Sequence, residues 1–288
     1  MDVNIQKYIT FIRVVESGSF TRAALALNYS QSAISRMIDD LEQDWGLRLL
    51  ERGRSGLCLT SDGEKLLPYA RAVCHEYEML QAEAASLRGL ESGLIRIGTF
   101  SSVATHWLPK IIGRFQKDYP HIEYELLLGD YPEIENWIAE GRVDCGFTRL
   151  PARSDLDVLP LGKDRLLAVL PHRHPLALLR RVPITALADF PFMLLEKDGF
   201  SDAADLLRQN GVQARVKFIT WDDYAIMSMV ESGLGISILP ELILRRTPYH
   251  IETKELDVPA FREIGLCTKS GAAKPRAVTR FIEYLNYR

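Results

Sequence analysis

The chain has 288 residues, 47% of them hydrophobic, which exceeds the usual length of one domain and supplies apolar material for two or three cores. Its formal net charge is −3, and residues 1–60 carry seven Lys/Arg against seven Asp/Glu. This excludes a nucleic-acid binder that works by general basicity, so DNA contact has to rest on local placement of cations. No apolar run reaches about 18 residues and no signal-like segment opens the sequence, which predicts neither a membrane span nor export and places the chain in the cytoplasm.

In chain order, Ile5, Tyr8, Ile9, Ile12 and Val15 recur at helical spacing over 4–17, with Phe11 beside that stripe and Gly18 ending it. Ser19 can cap a second helix carrying Phe20, Ala23, Ala24 and Leu27. Asn28 and Tyr29 make a break, and Ser30 can cap a third helix with Ala33 or Ile34, Met37, Ile38 and Leu41 inward. Two short helices around a brief turn read as a helix-turn-helix, whose second helix enters the major groove. On that helix Arg36 can donate two hydrogen bonds to guanine, Gln31 can pair with adenine or reach phosphate, and Ser32 and Ser35 allow close approach. Ser30 at its start is a further contact candidate, and Thr21 and Arg22 are placed for phosphate. The alternative for Arg36 is an ordinary surface ion pair with Asp40, four residues on. Gly53 and Gly56 permit a tight reversal between short extended pieces, a wing whose Arg52 and Arg54 can grip phosphate or enter the minor groove.

Ser61 and Glu64 have capping-box spacing and announce another helix. Within it Leu66, Ala70, Val73, Tyr77, Leu80, Ala84 and Leu87 alternate at intervals of 4 and 3, a coiled-coil seam that needs a partner. Pro68 predicts a kink near its start. A self-paired helix makes a dimer whose two heads read a near-palindromic site, the alternative being a helix folded onto its own body.

The pattern Phe11, Glu16-Ser17-Gly18-Ser19-Phe20, Ala23-Ala24, Leu27, Ser30-Gln31-Ser32-Ala33-Ile34-Ser35, Leu41-Glu42, Gly46, Leu49-Leu50-Glu51-Arg52, Leu59-Thr60 and Gly63 resembles the N-terminal region of the LysR-type transcriptional regulators. Ser32 replaces the family's usual proline and Leu50 its frequent phenylalanine. The resemblance implies a winged helix-turn-helix with a long linker helix, and a C-terminal two-lobed α/β domain resembling type 2 periplasmic binding proteins. It also implies dimers or tetramers, promoter DNA and a small-molecule effector as partners, and RNA polymerase as a further partner of an activator. The expected division is 1–60 for the DNA-binding head, 61–91 for the linker and 92–288 for the effector domain, with lobe I at 92–160 and 264–288 and lobe II at 165–259.

In that body, strands at 94–100, 122–128 and 143–147 alternate with helices at 103–119 and 134–139, which predicts an α/β lobe. A second lobe follows, with strands at 165–170, 192–195, 216–219 and 235–239 and helices at 203–209 and 224–231. The segment 263–267 and a helix at 276–287 return to the first. Crossings near 159–164 and 258–263 make a hinge over a cleft. Ser101 and Ser102 follow a strand and open a helix, Thr148 follows the 143–147 strand, and Thr220, Trp221 and Asp222 follow a strand of the second lobe. By resemblance to the family, Ser101, Ser102, Gly129, Thr148, Glu196 and Thr220 line the effector cleft, with Trp221 as an aromatic wall. Arg149 and Lys197 can either favour an acidic metabolite or be ordinary surface charges, while Asp130 and Asp198 nearby oppose such a preference.

No phosphate loop, zinc pattern or nucleophile elbow is present, so an enzyme is not expected, and no cofactor or metal is implied. The four cysteines, Cys58, Cys74, Cys145 and Cys267, lack metal-ligand spacing. Within the same architecture the alternative is a thiol-based redox sensor, and from a different class a small-molecule binding protein without specific DNA recognition.

Overall fold

The N-terminal helices begin and end where short polar side chains and left-handed residues dictate. In the computed structural model, which describes residues 4–53, 56–87 and 93–288, helix α1 (Ile5–Ser17) is capped by Asn4 and closed by Gly18 at φ 60°. Helix α2 (Phe20–Leu27) is capped by Ser19 and closed by Asn28 at φ 57°; helix α3 (Gln31–Trp45) is capped by Ser30 and closed by Gly46 at φ 65°. Each cap satisfies an orphan amide of the first turn, and each left-handed residue closes the last. Strands β1 (Leu50–Gly53) and β2 (Gly56–Leu59) pair antiparallel as the wing.

The head's core corrects the predicted face of α1. Phe11 and Val14 are fully buried against Ala23, Ala24, Ile34, Ile38, Leu41 and Leu49, while Tyr8, Ile12 and Val15 only flank them. The three-helix packing surrounds α1, so its burial centre falls between the two sides of the stripe. Helix α4 (Ser61–Leu87) runs unbroken through Pro68, so the expected kink does not interrupt it. Its cap is Thr60 rather than Ser61: the Thr60 hydroxyl accepts from Gly63 N at 3.0 Å and donates to the Arg48 carbonyl at 2.6 Å. A Cβ on Gly63 would stand 2.2 Å from the Leu49 carbonyl, so this turn admits only glycine at that position.

Leu94–Ile138 and Asp144–Arg288 form a second compact unit, which has two lobes. In the first lobe come β3 (Gly93–Thr99), α5 (Ser101–His106), α6 (Leu108–Asp118), β4 (Ile122–Leu128), α7 (Tyr131–Ala139) and β5 (Cys145–Arg149). The single helix expected at 103–119 is broken at Trp107, because Pro109 has no amide to continue the ladder and instead occupies the first turn of α6.

Strand β6 (Leu156–Pro171) follows. The second lobe then adds β7 (Pro191–Leu195), α8 (Asp202–Gln209), β8 (Arg215–Thr220), α9 (Asp223–Glu231), β9 (Ser237–Pro240), α10 (Glu241–Leu244) and β10 (Ile251–Glu255). Strand β11 (Phe261–Lys269) and α11 (Arg276–Glu283) close the chain. Phe281 of α11 makes an edge-on ring contact with Phe115 of α6 at 5.5 Å.

Strand order is β10-β6-β11-β5-β3-β4, with β9 also on β6; β3 and β5 are parallel, whereas β11 is antiparallel to both β5 and β6. The crossing near 159–164 is made within one long strand. Strand β6 pairs with β11 from Leu156 to Arg165, then with β9 and β10 from Leu166 onward. Its apolar end is buried on both faces: Leu166, Ala168 and Leu170 enter one core with Phe192 and Ile238, Leu167 and Val169 the other with Met227 and Leu239. No described helix is long and apolar enough to cross a membrane.

Candidate functional site

On the head, α3 buries Ile34, Ile38 and Leu41 and turns Gln31, Ser32 and Arg36 outward. Thr21, Arg22 and Ser30 are exposed, and Ser35 is half-buried. Arg36 makes no ion pair or hydrogen bond among the described residues, so the alternative pairing with Asp40 is not formed. The Ser30 hydroxyl is committed to Ala33 N at 3.2 Å and lies 3.0 Å from that of Ser32. Arg52 belongs to β1, described here by its backbone, and Arg54 lies outside the described residues.

A residue the sequence reading passed over holds the wing to α3. Glu42 is buried, and its carboxylate accepts from Leu49 N at 2.7 Å, from Leu50 N at 3.2 Å and from Arg48 Nη1 at 3.0 Å.

The positions predicted for the linker seam do not all share one outward face of α4. Leu66 is half-buried against the head's own core and Ala70 belongs to that core, with Cys74 buried further along α4. Roughly a quarter turn away, Tyr69, Val73, Tyr77 and Leu80 form an outward apolar row, exposed by 70%, 43%, 41% and 64%. Ala84 is half-buried, and Leu87 is described by its backbone alone. The first turns of α4 serve the head, which is why two predicted seam positions point inward.

In the body, an open cleft lies between the lobes, its empty space of about 870 Å³ including solvent at the mouth. Its lining includes Ser101, Ser102, Gly129, Glu196 and Trp221 from the sequence prediction, together with Phe100, Tyr131, Asp202, Asp223 and Arg262. A Cβ on Gly129 would meet the Trp137 ring at 2.5 Å, so a bare backbone forms this part of the wall. Thr148 and Thr220 are not in the lining. Thr148 falls inside β5 rather than after it, fully buried, and donates to Glu135 at 2.9 Å. Strand β5 ends at Arg149, two residues later than expected, which places Thr148 inside the strand. The Thr220 hydroxyl accepts from Asp222 N at 3.3 Å.

The floor of the cleft is built on Arg262. Its side chain is 6% exposed; Nε and Nη2 donate to Asp164 Oδ2 at 3.0 and 2.7 Å, Nη1 to the Tyr131 hydroxyl at 2.7 Å, and Nη2 to the Ser102 hydroxyl at 2.7 Å. Asp164 also accepts from Leu242 N at 2.9 Å, and the Tyr131 hydroxyl donates to Asp202 at 3.0 Å. Arg149 bridges to Asp202 at 2.7 Å and Asp205 at 3.0 Å, and Lys197 is held by Glu133 with Asp130 at 4.0 Å. Both cations read as favouring an acidic ligand are thus neutralised by the protein's own carboxylates across the cleft.

The signal for Arg262 was present in strand parity. Along β11, Phe261 and Glu263 are exposed while Arg262 and Ile264 are buried, so the arginine sits on the inward face of an alternating strand.

Asp223, 8% exposed, has its carboxyl pushed up to about 6 by burial, against the opposing effects of the Arg262 charge and the Ser101 hydroxyl. Because the folded protein holds this proton more tightly than the unfolded chain, the group's contribution to stability is fullest below the ordinary value of 3.8. It is lost as pH rises through about 6. Asp223→Asn is therefore expected to gain on the parent by about 2 kcal/mol between about pH 4 and pH 7. Urea unfolding of both proteins across that range checks this, and a pH-independent difference would contradict it.

Three of the four cysteines sit in burial, and Cys58 is half-buried. Cys74, Cys145 and Cys267 are buried, and burial pushes their thiols up, Cys74 to about 11 and Cys267 to about 12.

The family model described as LysR substrate binding domain matches residues 88–288, and that described as bacterial regulatory helix-turn-helix protein, lysR family, matches residues 5–64. The chain belongs to the LysR family of transcriptional regulators. This LysR-type regulator is 32% identical over 284 residues to the uncharacterized HTH-type transcriptional regulator YvbU of Bacillus subtilis, covering 98% of this chain and 97% of the relative. It is 30% identical over 275 residues to a probable hydrogen peroxide-inducible genes activator of Mycobacterium avium, covering 92% and 87%. Its fold is similar to that of full-length CbnR solved in complex with its target DNA, at TM-score 0.71, 22% identity and 99% of each chain. Family and fold together make it a sequence-specific DNA-binding regulator with an effector-binding body.

Proposed function

We propose that α3 reads promoter DNA through Gln31, Ser32, Ser35 and Arg36, with Thr21, Arg22, Ser30 and the wing arginines Arg52 and Arg54 on or near the phosphates. The observation that carries this reading is Arg36, exposed on the outward face of α3 and without an intramolecular partner among the described residues. A guanidinium left free there has its bidentate donors available for a guanine edge. The likeness to a regulator solved on its target DNA supports the same docking of head on duplex.

The functional division is a DNA-binding head over 1–60, a linker over 61–91 and an effector-binding body over 92–288. Two copies pair along the outward row of α4 and present two heads to two half-sites, as a dimer or as half of a tetramer. A small molecule in the cleft controls DNA binding by favouring one relative placement of the lobes, since equal affinity for both would shift nothing. RNA polymerase is a further partner if the protein activates.

The test begins with sequencing genomic DNA recovered on the purified protein, which yields the cognate site. Arg36→Ala is then expected to weaken cognate binding by about 1–3 kcal/mol while changing random-sequence binding little. Equal losses on both would assign Arg36 to phosphate and remove it from base reading.

A further inference from the structure

The charged groups lining the cleft are unequal in number and in what they have left to offer. Asp130, Glu196, Asp202 and Asp223 supply carboxylates, Lys197 and Arg262 the cations. Both cations are consumed internally. Arg262 is surrounded by Asp164, Tyr131 and Ser102, and the Phe100 ring lies 4.9 Å from its guanidinium. Lys197 is held by Glu133, with its ammonium 5.6 Å from the Trp221 ring centre. An anion entering here would have to displace tethered carboxylates, leaving Asp164 buried at 5% side-chain exposure without its partner.

Two carboxylates have capacity to spare. Glu196 is half-buried in the lining and makes no side-chain hydrogen bond or ion pair among the described residues. Asp223 is buried in the same lining, forms no ion pair among the described residues, and holds the Ser101 hydroxyl. Beside them stand two large aromatic side chains with open surface, Trp221 at 70% and Phe200 at 49% exposure. Aromatic faces and unpaired carboxylates together attract an ammonium group and repel a carboxylate.

We propose that the cleft selects a small cationic effector, an ammonium-bearing molecule with an apolar or aromatic body, whose charge is received by Glu196 and Asp223 and whose body packs against Trp221 and Phe200. This rests on the reading of the cleft as the effector site. It sets aside the reading of Arg149 and Lys197 as favouring an acidic metabolite, because those two charges are spent on pairing with carboxylates of the opposite lobe.

The test uses three probes with one skeleton and three charges: phenethylamine, 2-phenylethanol and 3-phenylpropionate, titrated into the full-length protein by calorimetry at fixed ionic strength. Phenethylamine is expected to bind about tenfold or more tighter than the alcohol, and the carboxylate more weakly than either. Glu196→Gln should erase most of the amine's advantage and leave the alcohol's affinity unchanged. Tightest binding of 3-phenylpropionate, an amine preference that survives both Glu196→Gln and Asp223→Asn, or no binding of any probe would each overturn the proposal. Binding to the cognate DNA is measured separately on the same preparations. Selective amine binding that leaves DNA binding unmoved would keep the ligand class and overturn the effector reading instead.

Discussion

Arg262→Ala is expected to destabilise the body by about 3–5 kcal/mol, because it removes one partner of a buried ion pair and leaves the other charged and unpaired. Asp164, at 5% side-chain exposure, would retain the Leu242 amide and lose both guanidinium contacts. Tyr131 and Ser102 would lose a donor at the same time. Arg262→Lys keeps the charge, but a single ammonium cannot reproduce the planar fork that serves Asp164, Tyr131 and Ser102 together, so an intermediate loss is expected. Urea unfolding followed by circular dichroism measures both variants. A loss below about 1 kcal/mol for the alanine variant would mean that solvent or a neighbouring group replaces Arg262, contrary to the buried geometry. Since Arg262 lies on β11 beside the point where β6 changes lobes, the alanine variant is also expected to lose the response of the cleft to ligand.

Glu42→Ala should cost the head about 2–4 kcal/mol and abolish DNA binding. The side chain satisfies the amides of Leu49 and Leu50, and its removal leaves two backbone donors facing a side chain that cannot accept. Those residues lead into β1, so the wing loses its fixed start relative to α3. Glu42→Gln retains one acceptor oxygen and is expected to cost roughly 1 kcal/mol with DNA binding largely kept. Thermal unfolding and electrophoretic mobility shift on the cognate site test the pair. Full DNA binding by the alanine variant would show that the hairpin is positioned by its apolar contacts alone.

These two residues also mark how far one-dimensional reading reaches. The head's boundaries were legible because capping acts over three residues: Ser19, Ser30, Gly18 and Asn28 do locally what their side chains and backbone preferences require. Near misses came where two adjacent residues offer the same chemistry. Thr60 caps α4 instead of Ser61, because only Thr60 is also within reach of the Arg48 carbonyl across the wing. The outward apolar row of α4 was half visible: periodicity marks faces, but whether a given face meets the protein's own head or a second copy depends on where α1 lies.

The cleft divides in the same way. Ser101, Ser102 and Trp221 were legible from their positions at strand ends, a rule that follows from chain direction in an α/β sheet, whereas Gly129 and Glu196 came from the family resemblance alone. Thr148 lies outside the lining because β5 runs on to Arg149, two residues past its predicted end, which turns a strand-end residue into a buried one. Arg262 was hinted at only by the parity of β11, since its partners Asp164, Tyr131 and Ser102 stand 98, 131 and 160 residues away in sequence.

By itself, then, the amino-acid order determined the helix-turn-helix head, the presence of a linker helix and a two-lobed α/β body, all of which rest on interactions between near neighbours and on repeating apolar spacing. Only the tertiary structure decided which charges in the body remain free. It pairs Arg149 and Lys197 with carboxylates from the opposite lobe and leaves Glu196 without a side-chain partner among the described residues. Charge pairing falls off with distance in space, not along the chain, so the sign of the cleft emerges only when the two lobes face each other.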